Sequence, residues 1–197
     1  MPRLSSAFYR KSNVVQVAQE LLGKVLCTSI GGMNSSGIIC ETEAYAGSTD
    51  KASHAYGNRR TKRTETMFLE GGHAYVYLCY GIHHLFNVVS NQADIPHAIL
   101  IRGVIPLEGV EYMIRRRKKH KLSSKLCIGP GKVSQALGIN TSHDAISLQS
   151  DQIWIEDRGL IPERNAIQIG PRIGIDYAEE DAALPYRFQC FEFEGEK

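Results

Sequence analysis

Long apolar runs are missing from this 197-residue chain. Runs such as Ala98–Ile101 are only a few residues long, far short of the roughly 20 that a membrane-crossing helix needs. The opening MPRLSSAFYRKSN has neither the apolar stretch nor the small-residue cleavage site of a secretory signal. No CxxC occurs, and the cysteines are odd in number and scattered (Cys27, Cys40, Cys79, Cys127, Cys190), so neither a disulfide framework nor a cysteine zinc site is expected. A reducing cytoplasm is the simpler compartment. HExxH, the deaminase pattern HxE…PCxxC and the phosphate loop GxxxxGK[ST] are all missing, so no metal or nucleotide cofactor is implied. Repeats, low-complexity tracts and Pro/Ser-rich linkers are lacking too. Residues 1–197 therefore read as a single domain.

What is present begins with charge. The net of +2 conceals an asymmetry: residues 1–143 hold 18 Lys/Arg against 9 Asp/Glu, residues 144–197 hold 5 against 12. If the two segments sit apart, one face is basic and another acidic. Arg59, Arg60, Lys62 and Arg63 form one basic cluster; Arg115–Lys119, Lys121 and Lys125 form a second. Such clusters favour a polyanion, with nucleic acid first, although the second also reads as a solvated helix face.

Ser12 is placed to cap a short helix with apolar Val14, Val17, Ala18, Leu21 and Leu22, ended by Gly23. Lys24–Ile30 and Ile38–Tyr45 read as hairpin strands around a turn at Gly31–Gly37. Residues 46–72 form a polar, basic loop region of functional size. His73–Cys79 and Ile82–Ser90 read as strands joined tightly at Tyr80-Gly81, followed by a strand at Ala98–Val104. Pro106 is expected to start a helix through about Lys119, and Gly129-Pro130-Gly131 to open another that stops at Gly138. Short strands are expected at Ile153–Glu156, Ala166–Ile169, Arg172–Asp176 and Arg187–Phe193. The sum is an α+β fold: a single mixed domain with an antiparallel β-sheet and flanking helices.

Four segments hold candidate chemistry. In Glu41-Thr42-Glu43-Ala44-Tyr45, strand alternation puts both carboxylates and the tyrosine on one face. Glutamates there are either exposed, paired with arginine, or a general base, and periodicity does not choose between them. Tyr75 and Tyr77 share a face opposite Ala74, Val76 and Leu78, while Tyr80 sits at a turn tip from which an aromatic can project. His83 and His84 are adjacent, so they point to opposite sides and make poor joint metal ligands; Asn87 follows them. Lys132 stands in a glycine-rich helix start able to face a phosphate.

Taken in order, GIICETEAY, DKASHAY, RTKRTETMF, GHAYVYLCYG, FNVV, LIR, PLEG, GPGK and PRIGI together make a chain that resembles the alkyladenine (3-methyladenine) DNA glycosylase family, closely in its bacterial branch. Each stretch is weak alone; their shared order is specific. Ile82 stands where that family's pattern leads us to expect methionine, and Cys79 where a bulkier residue is common.

The resemblance implies a curved antiparallel sheet and a monofunctional hydrolase of N-glycosidic bonds. Such an enzyme removes alkylated or deaminated purines from double-stranded DNA. Glu43 is then the base that activates water, Arg102 holds that water, and the backbone carbonyl of Ile173 also contacts it. Tyr45, His54 and Tyr77 enclose the extruded purine, Asn87 crowds the 2-amino group of guanine, and Tyr80 fills the gap in the helix. Thr61, Lys132 and Arg172 are expected near phosphates. No cofactor is implied, and a monomer is expected, in the cytoplasm and at the nucleoid if the source is bacterial. Two rival readings remain: a non-catalytic nucleic-acid-binding module, which leaves Glu43 idle, and a carbohydrate hydrolase that pairs Glu41 with Glu43.

Overall fold

The computed structural model describes residues 2–163 and 165–195. Two helices, α1 (Ser6–Tyr9) and α2 (Val14–Glu20), lead into the hairpin β1 (Val25–Ile30) and β2 (Met33–Tyr45). After three short 3-10 turns come β3 (Ala74–Cys79), β4 (His83–Ser90) and β5 (His97–Glu108). Helices α3 (Val110–Arg116) and α4 (Pro130–Leu137) follow, then β6 (Ile153–Glu156), β7 (Ile161–Pro162), β8 (Gln168–Gly170), β9 (Arg187–Gln189) and β10 (Phe193–Glu194). The main sheet is antiparallel and runs β3-β4-β5-β2-β1-β6, with β9 pairing both β2 and β8. It curls into half a barrel.

The two faces of the sheet are sorted by alternation. Ala44, Ala74, Val76, Phe86, Val88, Ile99 and Ile101 turn toward α2 and α4 and join the main core. There the hydroxyl of Thr42 donates to the carbonyl of Ala18 on α2 at 2.8 Å. On the other face, Tyr75, Asn87, Leu100 and Glu43 are successive register partners across β3, β4, β5 and β2, with Arg187 of β9 next in the row. That row holds the candidate site residues.

The ladder between β2 and β5 is irregular beside these residues. Glu41 pairs with Gly103 and Thr42 with Ile101, so Arg102 is the extra residue of a bulge, a device that re-aims a side chain. Gly103 leaves room beside it, because a Cβ there would lie 3.1 Å from the Sγ of Cys40 and 3.1 Å from the Cβ of Glu41, a tight fit.

Several local expectations are corrected. The cap of α2 is Asn13, not Ser12: its Oδ1 accepts from the N–H groups of Val15 and Gln16, both at 3.1 Å. Asn13→Ala should cost about 1 kcal/mol, readable as a lowered melting temperature. The turn at Gly31–Gly37 shrinks to Gly31-Gly32, and β2 begins at Met33 because Asn34–Gly37 still pair with β1. Pro106 lies within β5, opposite Gly37 at a register irregularity, where a missing N–H is tolerated. The helix starts only at Val110, after Gly109 in a left-handed conformation. Residues 172–175 form no strand, and Arg187–Phe193 is broken into β9 and the start of β10. The two charge segments do not separate either, since β9 of the acidic segment lies inside the sheet.

Candidate active site

Glu43 has no solvent exposure, and Glu41 has 3%. One oxygen of Glu43, Oε1, accepts from the backbone N–H of Ile173 at 2.8 Å and lies 3.4 Å from Nε of Arg102. The other, Oε2, accepts from the hydroxyl of Tyr45 at 2.9 Å. Burial pushes the Glu43 carboxyl above the ordinary carboxylate range, helped by the like charge of Glu41. Arg102, the Ile173 N–H and the Tyr45 hydroxyl pull it back. A buried carboxylate with few, well-defined partners and a raised proton affinity suits a general base.

Tyr45, Arg102 and Ile173 separate Glu43 from a cleft of about 430 Å³ and form part of its lining. The cleft is walled by His54, Tyr75, Tyr77, Leu85, Asn87 and Tyr177, among others. Tyr75 and Tyr77 lie 5.3 Å apart between ring centroids at 32°, and His54 meets Tyr77 edge-on at 4.7 Å. The Nδ1 of His54 is 2.9 Å from the hydroxyl of Tyr75. Burial, with Arg63 and Arg59 nearby, lowers the His54 pKa to about 4, so the ring is neutral near pH 7. That makes it a hydrogen-bonding wall and a poor proton donor. Asn87 is buried and spends its amide donors on the carbonyls of Tyr75 at 3.0 Å and Leu85 at 3.4 Å.

Tyr80 is 88% exposed at the tip of the β3–β4 turn, in a left-handed conformation (φ 50°) beside Gly81, and it reaches the rim of the cleft. Leu78 and Ile82 flank it, 43% and 70% exposed. An apolar, projecting tip needs a partner surface. Thr61 is exposed in the 59–64 loop, and its N–H donates to the hydroxyl of Thr64 at 2.9 Å. Lys132 is half-buried in the first turn of α4, next to Pro130 at the cleft.

Arg172 departs from the expectation of a phosphate-side contact. Its side chain is fully buried and paired with Asp50 at 2.5 and 2.9 Å, and it donates to the carbonyl of Ala44 at 2.9 Å. Its guanidinium lies 4.8 Å from the ring centroid of Tyr45 and 5.3 Å from that of Tyr186. It pins the 171–175 segment beneath the cleft, with no route to a phosphate outside. Ile173 is in place, but the contact formed with Glu43 is through its N–H. The basic clusters also spend part of their charge on other groups of the chain. Arg60 pairs with Glu65 and Asp94, and Arg116 donates to Ser35 Oγ and the carbonyl of Ala136.

Three charged residues at the site escaped the sequence reading as site residues. Arg63 lies 5.0 Å over the ring of Tyr77, Asp50 holds Arg172, and Arg187 reaches Glu41. Only Arg63 left a signal, as a cation in a loop rich in glycine and threonine.

The site is a cleft walled by tyrosines with a buried carboxylate beneath it. The comparisons agree on the class. A family model for methylpurine-DNA glycosylase matches residues 7–192. Proteins of Chlamydia abortus, Clostridium perfringens and Bacillus thuringiensis, each named "Putative 3-methyladenine DNA glycosylase", are 48%, 45% and 45% identical to this chain. The matches cover 94%, 94% and 92% of this chain and 96%, 94% and 92% of those proteins. The chain belongs to the methylpurine-DNA glycosylase family. It is a hydrolase of N-glycosyl bonds in DNA, of the 3-methyladenine type.

Proposed function

We propose that this single-domain enzyme acts as a monomer on duplex DNA. It excises the 3-methyladenine, 7-methylguanine, hypoxanthine and ethenoadenine class of purines and so initiates base excision repair in the cytoplasm, at the nucleoid of a bacterial cell. The nucleotide rotates out of the helix, at a cost of roughly a few kcal/mol that is smallest for damaged or mispaired bases. Tyr80 takes the vacated place in the stack, and Tyr45, Tyr77 and His54 enclose the purine. Asn87 crowds the 2-amino group that marks normal guanine. Thr61 and Lys132 meet phosphates.

The carrying observation is Glu43: a carboxylate without solvent exposure, immediately beneath a tyrosine-walled cleft and held between Arg102, Tyr45 and the Ile173 N–H. Water drawn to Glu43 and held by Arg102 and the Ile173 carbonyl attacks the anomeric carbon as the purine leaves. Glu43 takes its proton and offsets the oxocarbenium charge of the sugar. Among the described residues no lysine lines the cleft, which supports water as nucleophile and a monofunctional reaction without strand cleavage.

The test is a duplex oligonucleotide panel carrying each lesion, incubated with the protein and then treated with hot alkali. Strand breaks are expected only after alkali and only at the lesion, with free base released. Cleavage before alkali would make the enzyme a lyase; no cleavage of any lesion duplex would leave a binding module.

A further inference from the structure

Two charged side chains of the cluster around Glu43, buried Glu41 and half-buried Arg187, have no role in the reaction as described. Glu41 accepts at Oε1 from Nε of Arg102 and from Nη1 of Arg187, both at 3.0 Å. Arg187 also donates from Nε to the carbonyl of Pro171 at 3.1 Å. Pro171 begins the segment whose Ile173 N–H meets Glu43. Both groups that flank Oε1 of Glu43 are therefore held by this pair, Arg102 through Glu41 and the Ile173 amide through Arg187.

We propose that Glu41 and Arg187 are positioning residues for base excision: together they aim Arg102 and the Ile173 amide at Glu43. The inference rests on the reading of Glu43 as the base. The pair acts at a distance from the purine, since neither side chain lines the cleft.

Charge balance gives the pair a signature that scaffolding alone lacks. Glu43 faces Glu41 and Tyr45 on its own strand and Arg102 on β5; its register partner on β9 is Arg187, whose guanidinium pairs with Glu41, and the buried Arg172–Asp50 pair lies behind the 171–175 segment. The two carboxylates are matched by Arg102 and Arg187. Neutralising Arg187 leaves an excess negative charge, which favours protonation of Glu43. Neutralising Glu41 removes a like charge, which favours its ionised form.

The experiment is single-turnover excision of hypoxanthine from duplex DNA across pH at saturating enzyme, beside melting and lesion-binding measurements. Arg187→Gln should slow excision on the order of 10- to 100-fold, as when a group that orients a reactive ligand is lost. It should also move the acid limb of the profile to higher pH. Glu41→Gln should slow excision and move that limb to lower pH. Arg187→Lys should return the limb to its parental position but recover the rate only in part, because one ammonium does not reproduce the fork between Glu41 and Pro171.

Parental rates, limbs that move together, or a rate loss fully matched by lost lesion binding would overturn the proposal. If a glutamine variant does not fold, Arg187→Lys decides: a slower rate with an unmoved limb supports positioning, and the parental rate refutes it. Glu43→Gln is run in parallel. If it excises normally, the base assignment fails; if it is inert while the other variants behave as the parent, only the positioning fails.

Discussion

Glu43→Gln should lower single-turnover excision by on the order of 10²- to 10⁴-fold, the usual worth of a positioned general base, and leave lesion-DNA binding within about twofold. The amide is isosteric and keeps an oxygen for the Ile173 N–H or the Tyr45 hydroxyl, but it neither accepts the water's proton nor offsets charge on the sugar. As the proposed base, Glu43 has to be ionised to act. Burial holds its carboxyl above the ordinary range near 4.3. Excision in the parent should therefore fall as pH drops through that raised value, on a limb at higher pH than a free glutamate would produce. Unchanged excision by the glutamine variant would remove the catalytic base from the account.

Tyr80→Ser should weaken capture of lesion DNA about five- to hundred-fold, from the roughly 1–3 kcal/mol that an aromatic stacked on a base contributes. Its melting temperature should stay within a degree or two of the parent, because a side chain 88% exposed leaves no cavity when truncated. Titration of a hypoxanthine duplex measures the first effect and calorimetry the second. A large fall in melting temperature would make Tyr80 part of the core. Normal capture would remove Tyr80 from the proposed wedge role, with Leu78 and Ile82 beside it the next to test.

Much of the sheet was readable because a strand shows its period over a few residues. Glu41, Glu43 and Tyr45 share a face, as do Tyr75 and Tyr77, and Tyr80 projects from a tight turn, as alternation and turn chemistry require. The errors came where distant chain overrode local chemistry. Pro106 carries a helix-start signal, yet it stands in β5 opposite Gly37. Arg172 looks like a free cation in PRIGI, yet Asp50 lies buried against it and two tyrosine rings bracket it.

The order of the motifs and the alternation within each strand sufficed for the family and the α+β class, and they singled out the aromatic and acidic candidates. Which groups surround each carboxylate was decided by folding. Glu43 meets an amide 130 residues away and Glu41 a guanidinium 146 residues away, brought together by a bulge in β5 and by β9 lying against β2. Alternation is a property of a single strand. Proton affinity depends on every charge within a few ångströms, and those charges arrive from four separate stretches of chain.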